Sequence, residues 1–203
     1  VIVGTETEIT GVVAVADTVR EEAKVAIAAL HRQGIEHIVL LTGDHEITAQ
    51  AIAKELGVDA WKAGLLPEEK VAALEDLRRQ YGHVAMVGDG VNDAPALATA
   101  SVGIAMGAAG TDTALETADV ALMADDLSKL PYLFQLSRAS RRIIRQNVAV
   151  SILIKAALAA GVIPGLVSLI VAVLAGDMGA ALGVTGNALR LARLKPLAHN
   201  SPP

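Results

Sequence analysis

The chain has 203 residues, of which 53% are hydrophobic and only 2% aromatic, with a formal net charge of −5 and no cysteine. The acidic balance offers no hint of the basic surface that nucleic acid needs. Without cysteine these residues hold neither a disulfide framework nor a thiolate metal site. The length allows one or two domains, and the small aliphatic composition suits close packing, including packing between membrane helices.

In chain order, Val12 to Ala16 reads as a strand and Val19 to Gln33 as a helix ended by Gly34. Ile38 to Leu41 is a short apolar strand running into Thr42-Gly43-Asp44. Thr48 to Leu56 reads as a helix stopped by Gly57, and Pro67 to Tyr81 as another, its proline in a first turn where the missing N–H costs nothing. Val84 to Val87 is the next strand, followed by an acidic, glycine-bearing loop and a short helix from Ala94-Pro95. Val102 to Ala105 and Val120 to Leu122 read as further strands. Short apolar strands alternating with helices predict an α/β fold with a parallel sheet and ligands at the strands' C-terminal ends. Asp44 and Asp89 both fall at such ends.

The character changes near residue 137. Val148 to Ile163 is apolar apart from Ser151 and Lys155, and Leu166 to Val184 apart from Ser168 and Asp177. Each run approaches the roughly 20 residues that cross a hydrocarbon core, and Gly161 to Gly165 is an uncharged connection. Arg138, Arg141, Arg142 and Arg145 precede the first run, while Arg190, Arg193 and Lys195 follow the second. Basic residues at both outer ends put those ends in the cytoplasm. The competing reading is a buried helical hairpin of a soluble protein. The predicted organisation is an α/β part over 1–137, a two-helix transmembrane hairpin with basic flanks over 138–195, and a tail over 196–203.

Met86 to Ala100, MVGDGVNDAPALATA, carries the strongest chemical signal. It sets Asp89 and Asp93 four residues apart beside two glycines and Asn92. Mg²⁺ takes one or two carboxylates plus waters and phosphate oxygens, and this loop supplies the carboxylates. A solvated, Asx-rich turn is the plain alternative. Lys155 and Asp177 form a second candidate pair, nine residues before Pro164 and thirteen after it. In an antiparallel hairpin their depths differ by about 6 Å at 1.5 Å per residue, within reach of a lysine. Charges at such depth face a partner or an aqueous path, so an ion pair is expected.

The Met86–Ala100 run resembles the hinge motif of P-type ATPases, within the haloacid-dehalogenase superfamily. Asp17-Thr18-Val19-Arg20 resembles their D-x-x-R segment, Thr42-Gly43-Asp44 their TGD motif, and Leu66-Pro67-Glu68-Glu69-Lys70 their P-x-x-K segment. Ser101 to Gly107 and Glu116 to Val120 follow as in these pumps. Gln146-Asn147 and Asn187-Ala188-Leu189-Arg190-Leu191 resemble signatures of the heavy-metal branch. Asp177-Met178-Gly179 resembles the D-x-G element of the zinc/cadmium/lead branch. The Met-Ser-Ser and His-Glu-Gly patterns of the copper and cobalt branches are not found at this position. The D-K-T-G-T string that bears the phosphorylated aspartate does not occur in these residues. The opening residue, Val1, favours a fragment of a longer pump over a free-standing product.

The resemblance implies a partial phosphorylation domain followed by the last two membrane helices of a Zn²⁺/Cd²⁺/Pb²⁺ pump using ATP and Mg²⁺. It implies Asp89 and Asp93 as Mg²⁺ carboxylates, Lys70 as the neutraliser of phosphoryl oxygens and Thr42 as a hydroxyl donor. Gly43 would admit backbone N–H groups to the phosphoryl group, Asp44 would assist nucleotide or Mg²⁺ contacts, and Asn92 would bond the phosphoryl group or the loop. Asp177 would serve the transported ion, with Lys155 as counter-ion. His45 stands where the family often has asparagine. The expected partners are a divalent heavy-metal cation, the lipid bilayer and the N-terminal remainder of the pump, without nucleic acid. The expected location is the plasma membrane of a bacterium, multi-pass, with the α/β part in the cytoplasm. A soluble phosphatase of the same superfamily and a non-catalytic membrane-anchored remnant are the alternatives.

Overall fold

The computed structural model describes residues 2–5, 8–12, 18–90, 92–107 and 116–194, arranged as two compact units, Val1–Leu127 and Ser128–Pro203. In the first unit, β1 (Ile2–Gly4) and β2 (Ile9–Val12) pair antiparallel, a hairpin that the sequence reading does not contain. The strand predicted over Val12 to Ala16 lies, beyond Val12, outside the described residues. Helix α1 (Glu21–Arg32) buries Ala23, Ala26, Ala29 and Leu30, one stripe at helical spacing. Its first turn carries Glu21 and Glu22 and its last His31 and Arg32, charges that complement the helix dipole.

Strand β3 (Val39–Leu41) pairs in parallel with β4 (Ala60–Lys62), the two joined through α2 (Glu46–Leu56). Ala49 and Ala53, one helical turn apart, are the buried residues of α2. Gly57 ends it at φ 73°, left-handed backbone that a Cβ would strain. Lys24 of α1 reaches Glu55 of α2 at 3.0 Å and Glu21 at 3.3 Å. The hydrogen bond to Glu55, then that to Glu21, raises the Lys24 pKa above its ordinary value.

Helix α3 (Pro67–Tyr81) begins and ends where the sequence predicts, and the Glu69 carboxylate caps it by accepting the Leu66 N–H at 2.8 Å. Strands β5 (Ala85–Gly88), β6 (Val102–Met106) and β7 (Val120–Leu122) form a parallel sheet in that order. Helix α4 (Ala94–Thr99) crosses from β5 to β6. The core gathers Leu74 of α3, Met86 of β5, Ala96 and Leu97 of α4, and Ala105 of β6, with Leu41 of β3 packed against them. A Cβ on Gly103 would lie 2.6 Å from the Leu97 carbonyl oxygen, so α4 seats on β6 only because that position is glycine.

The second unit is a helical hairpin. Helix α5 (Lys129–Val162) has 34 residues, so the change of composition near residue 137 falls inside it. Gly165, at φ 78°, sits in the turn, and the Ser168 hydroxyl caps the next helix by accepting from the Val171 N–H at 3.3 Å. Helix α6 (Leu169–Arg193) is not uniform: Leu174–Gly179 forms a π turn and Leu189–Arg193 a 3₁₀ turn. Both helices are long and apolar enough to cross a membrane, with 6% and 11% of their apolar windows buried within the structure. A core helix of a soluble protein would be mostly covered.

Candidate functional site

Two loops close the C-terminal ends of parallel strands in the first unit. The first follows β3. Asp44 and Thr42 bond reciprocally: the Thr42 hydroxyl donates to the Asp44 carboxylate at 2.9 Å, and the Asp44 N–H donates back to Thr42 Oγ1 at 3.1 Å. The loop after β4 braces it, with Gly64 N–H donating to the Asp44 carbonyl and Leu65 N–H to that of Thr42, at 2.7 and 3.0 Å. A Cβ on Gly43 would lie 3.3 Å from the Leu65 carbonyl oxygen. Gly43, Asp44 and His45 are exposed, and His45 occupies the N-cap of α2 without a side-chain cap bond. Just beyond, the Trp61 indole N–H donates to Glu46 at 2.8 Å, tying β4 to the start of α2.

The second loop follows β5. Gly88 closes the strand, Gly90 turns the chain at φ 76°, and the Asn92 N–H donates to Asp89 Oδ1 at 3.2 Å, three residues on. Asp93 forms the N-cap of α4, its carbonyl accepting the Leu97 N–H at 2.8 Å. Its carboxylate turns back to the strand: a Cβ on Gly88 would stand 2.8 Å from Asp93 Oδ2. The absence of a side chain at 88 therefore creates the slot for Asp93.

Lys70, one turn into α3, enters this slot from the side. Its ammonium lies 2.6 Å from Asp93 Oδ1, with the two side chains only 16% and 15% exposed. The structure thus brings the P-x-x-K lysine and the second carboxylate of the acidic loop into one ion pair. Asp89 and Asn92 are exposed at the mouth of that loop. Among the described residues no group of three or more His, Cys, Asp or Glu is arranged to hold a metal. Two carboxylates satisfy a Mg²⁺ ion that draws its remaining ligands from water and phosphate, so these residues fit that ion.

Two anchors escaped the sequence reading. The Gly103 N–H donates to Asp119 Oδ2 at 2.9 Å, and Arg20 pairs with Asp125 at 2.9 Å. No local pattern marks either bond, since each joins residues distant in sequence. Asp17, the acid of the D-x-x-R segment, lies outside the described residues.

In the hairpin, Lys155 Nζ stands 3.2 Å from Asp177 Oδ1, the pair that the depth estimate anticipates. Asp177 lies in the π turn of α6, a feature that sequence periodicity cannot reveal. Toward the arginine-bearing ends, Asn187 Nδ2 donates to Asn147 Oδ1 at 2.8 Å and Arg190 donates to Asn187 Oδ1 at 3.0 Å. Asn147 Nδ2 reaches the Val184 carbonyl at 3.5 Å. Gln146-Asn147 and Asn187-Arg190 are thus a polar clasp between the helices. Below it, a cleft of ≈ 400 Å³ between α5 and α6 is lined by Ser151, Ile154, Gly179 and Gly183 among others.

A family model of haloacid dehalogenase-like hydrolases matches residues 1–101. A probable cadmium-transporting ATPase of Alkalihalophilus pseudofirmus is 55% identical over 194 residues, 96% of this chain and 27% of that protein. A zinc-transporting ATPase of Synechocystis sp. is 48% identical over 185 residues, 90% of this chain and 26% of that protein. The crystal structure of a zinc-transporting PIB-type ATPase in an E2·Pi state superposes with a TM-score of 0.82 at 46% identity, covering 94% of this chain and 31% of that one. The chain spans about a quarter of the length of the curated relatives it matches. Over nearly its whole length, then, this chain is homologous to about a quarter of the cadmium- and zinc-transporting ATPases.

Proposed function

We propose that the chain supplies part of the phosphorylation domain and the last two membrane helices of an ATP-driven pump for divalent heavy-metal cations of the zinc and cadmium class. The observation that carries this reading is the 2.6 Å pair between Lys70 and Asp93 beside exposed Asp89. It sets a fixed positive charge and two carboxylates at one strand end, the arrangement that phosphoryl transfer needs.

In this reading the γ-phosphoryl group of ATP passes to an aspartate carboxylate outside these residues, and ADP leaves. Asp89 and Asp93 would hold Mg²⁺, which neutralises charge on the phosphoryl oxygens when bound. Lys70 is a point charge whose direction Asp93 fixes. The Thr42 hydroxyl is engaged by Asp44, so its donation to a phosphoryl oxygen exchanges that bond. Asn92 keeps Asp89 turned outward through its backbone N–H. Asp177 acts as a carboxylate ligand of the transported ion and Lys155 as the counter-ion that occupies it otherwise. The hairpin spans the plasma membrane with both basic ends in the cytoplasm.

The test is a chimera in which these 203 residues replace the matched segment of the Alkalihalophilus ATPase. Membrane vesicles carrying it are expected to form a phosphoenzyme from ATP that depends on Zn²⁺ or Cd²⁺. A chimera that inserts in the membrane but gives no such phosphoenzyme overturns the reading.

A further inference from the structure

Residues 128–203 carry nine Lys and Arg against one acid, Asp177, whereas residues 1–127 carry eight against 21. The positive charge of α5 is organised further. Arg138, Arg141, Arg142 and Arg145 recur at i, i+3, i+4 and i+7, all exposed, and fall within an arc of roughly 100°. Residues that meet α6 mark the other side of the helix: Asn147 bonds Val184, Leu158 lies against Gly176, and Ser151 and Ile154 line the cleft. At 100° per residue the arginines centre about 170° from Asn147, on the face turned away from α6.

Among the described residues Arg141, Arg142 and Arg145 make no ion pair, and no acid occurs between Asp126 and Asp177. The same face continues past the arginines into Val148 and Ile152, 54% and 63% exposed. Arg138 to Arg145 covers about 10 Å of helix axis, enough to cross the roughly 5–8 Å headgroup layer of one leaflet. Charge above and aliphatic surface below, on one face, match the layering of a phospholipid.

We propose that this arginine face binds the headgroups of anionic phospholipids in the cytoplasmic leaflet. The inference rests on the membrane reading given above. It differs from a simple excess of basic charge at the cytoplasmic end, because the charges must share a face.

The full 203-residue chain is reconstituted in phosphatidylcholine vesicles, with spin-labelled phosphatidylglycerol or phosphatidylcholine as the probe of motionally restricted lipid. The wild-type chain is expected to prefer phosphatidylglycerol at least roughly fivefold, the strength of one basic residue near an anionic surface. Arg138→Gln, Arg141→Gln, Arg142→Gln and Arg145→Gln together should bring the ratio to about one, and each alone should lower it. A variant of equal charge, Ser140→Arg/Arg141→Ser/Ile144→Arg/Arg145→Ile, turns two arginines off the face and should lose most of the preference. Alkaline carbonate extraction of every variant separates the two levels. A wild-type chain released by carbonate overturns the membrane reading and this one with it. A chain that stays inserted without preference, or whose preference survives in the Gln variants or the equal-charge variant, overturns the arginine site alone.

Discussion

Two of the molecule's lysine–aspartate pairs sit in opposite settings. Lys70 and Asp93 meet at 2.6 Å with 16% and 15% of their side chains exposed, whereas Lys155 and Asp177 meet at 3.2 Å with 62% and 66% exposed. The first pair is held by the protein itself: α3 delivers the lysine, and glycine at 88 clears the slot for the carboxylate. The second is held on the hairpin's outer surface, and its strength is set by whatever medium surrounds the helices. In hydrocarbon an unpaired charge is costly, so the partners depend on each other. In water the same exposed pair would contribute less than about 1 kcal/mol. A fixed pair suits a site that must keep one geometry, and an environment-dependent pair suits a site whose ligand comes and goes.

The largest expected effect tests whether the fixed pair suffices for chemistry. The 203-residue chain alone should form no acid-stable phosphoenzyme with radiolabelled ATP, because no D-K-T-G-T aspartate is present in it. Label on this polypeptide would break the assignment of Lys70 and Asp93 to assisting roles. Next come the carboxylates. In the chimera, Asp89→Asn and Asp93→Asn should each lower phosphoenzyme formation roughly a hundredfold, as several kcal/mol of charge stabilisation is removed. Gly88→Ala should approach the Asp93 variant, since the added methyl would take the carboxylate's place. Unchanged Mg²⁺ dependence in the Asp93→Asn variant would show the fixed pair to be structural.

The environment-dependent pair gives a different pattern. Asp177→Ala should abolish metal-stimulated ATP hydrolysis while leaving phosphorylation by inorganic phosphate intact. The double variant Lys155→Ala/Asp177→Ala removes both charges and their desolvation cost, so a structural bridge would regain much activity. Little recovery of zinc-stimulated turnover is expected, and substantial recovery would remove Asp177 from the ion site. The smallest effect belongs to the polar clasp. Asn147→Ala should lower hairpin stability by about 0.6 kcal/mol, typical of a hydrogen bond between membrane helices, measured by denaturant titration in detergent.

The sequence is most legible where residue chemistry and local geometry coincide. Helix α3 and strand β7 have the predicted bounds because proline, helix-forming residues and a short aliphatic run leave few alternatives. The acidic loop is readable from its spacing, but the reason for its glycine is not. Gly88 could serve a turn; only three dimensions show it making room for Asp93. Strand β4 is not legible in the sequence because Ala60-Trp61-Lys62 is three residues long and its pattern is no more apolar than a loop. Helix α5 begins at Lys129, ahead of the change in composition, because its first turns are mixed in polarity while Leu130 and Pro131 are buried. The π turn at Asp177 was unreadable, since one added residue per turn leaves no mark on composition.

The bond between Trp61 and Glu46 has a practical corollary in spectroscopy. The chain holds a single tryptophan, so its indole emission comes from one address, β4 beside the start of α2. The indole N–H is engaged by a carboxylate, and emission energy and yield respond to that kind of charged, polar contact. The Glu46 partner follows Thr42-Gly43-Asp44 by two residues, so any rearrangement of that loop reaches the fluorophore through a short, stiff path. The hairpin has a tyrosine, Tyr132, but no tryptophan, so it adds nothing to the indole emission. Phosphate analogues or nucleotides can therefore be titrated against the unlabelled chain, each change in intensity reporting on the α/β unit alone.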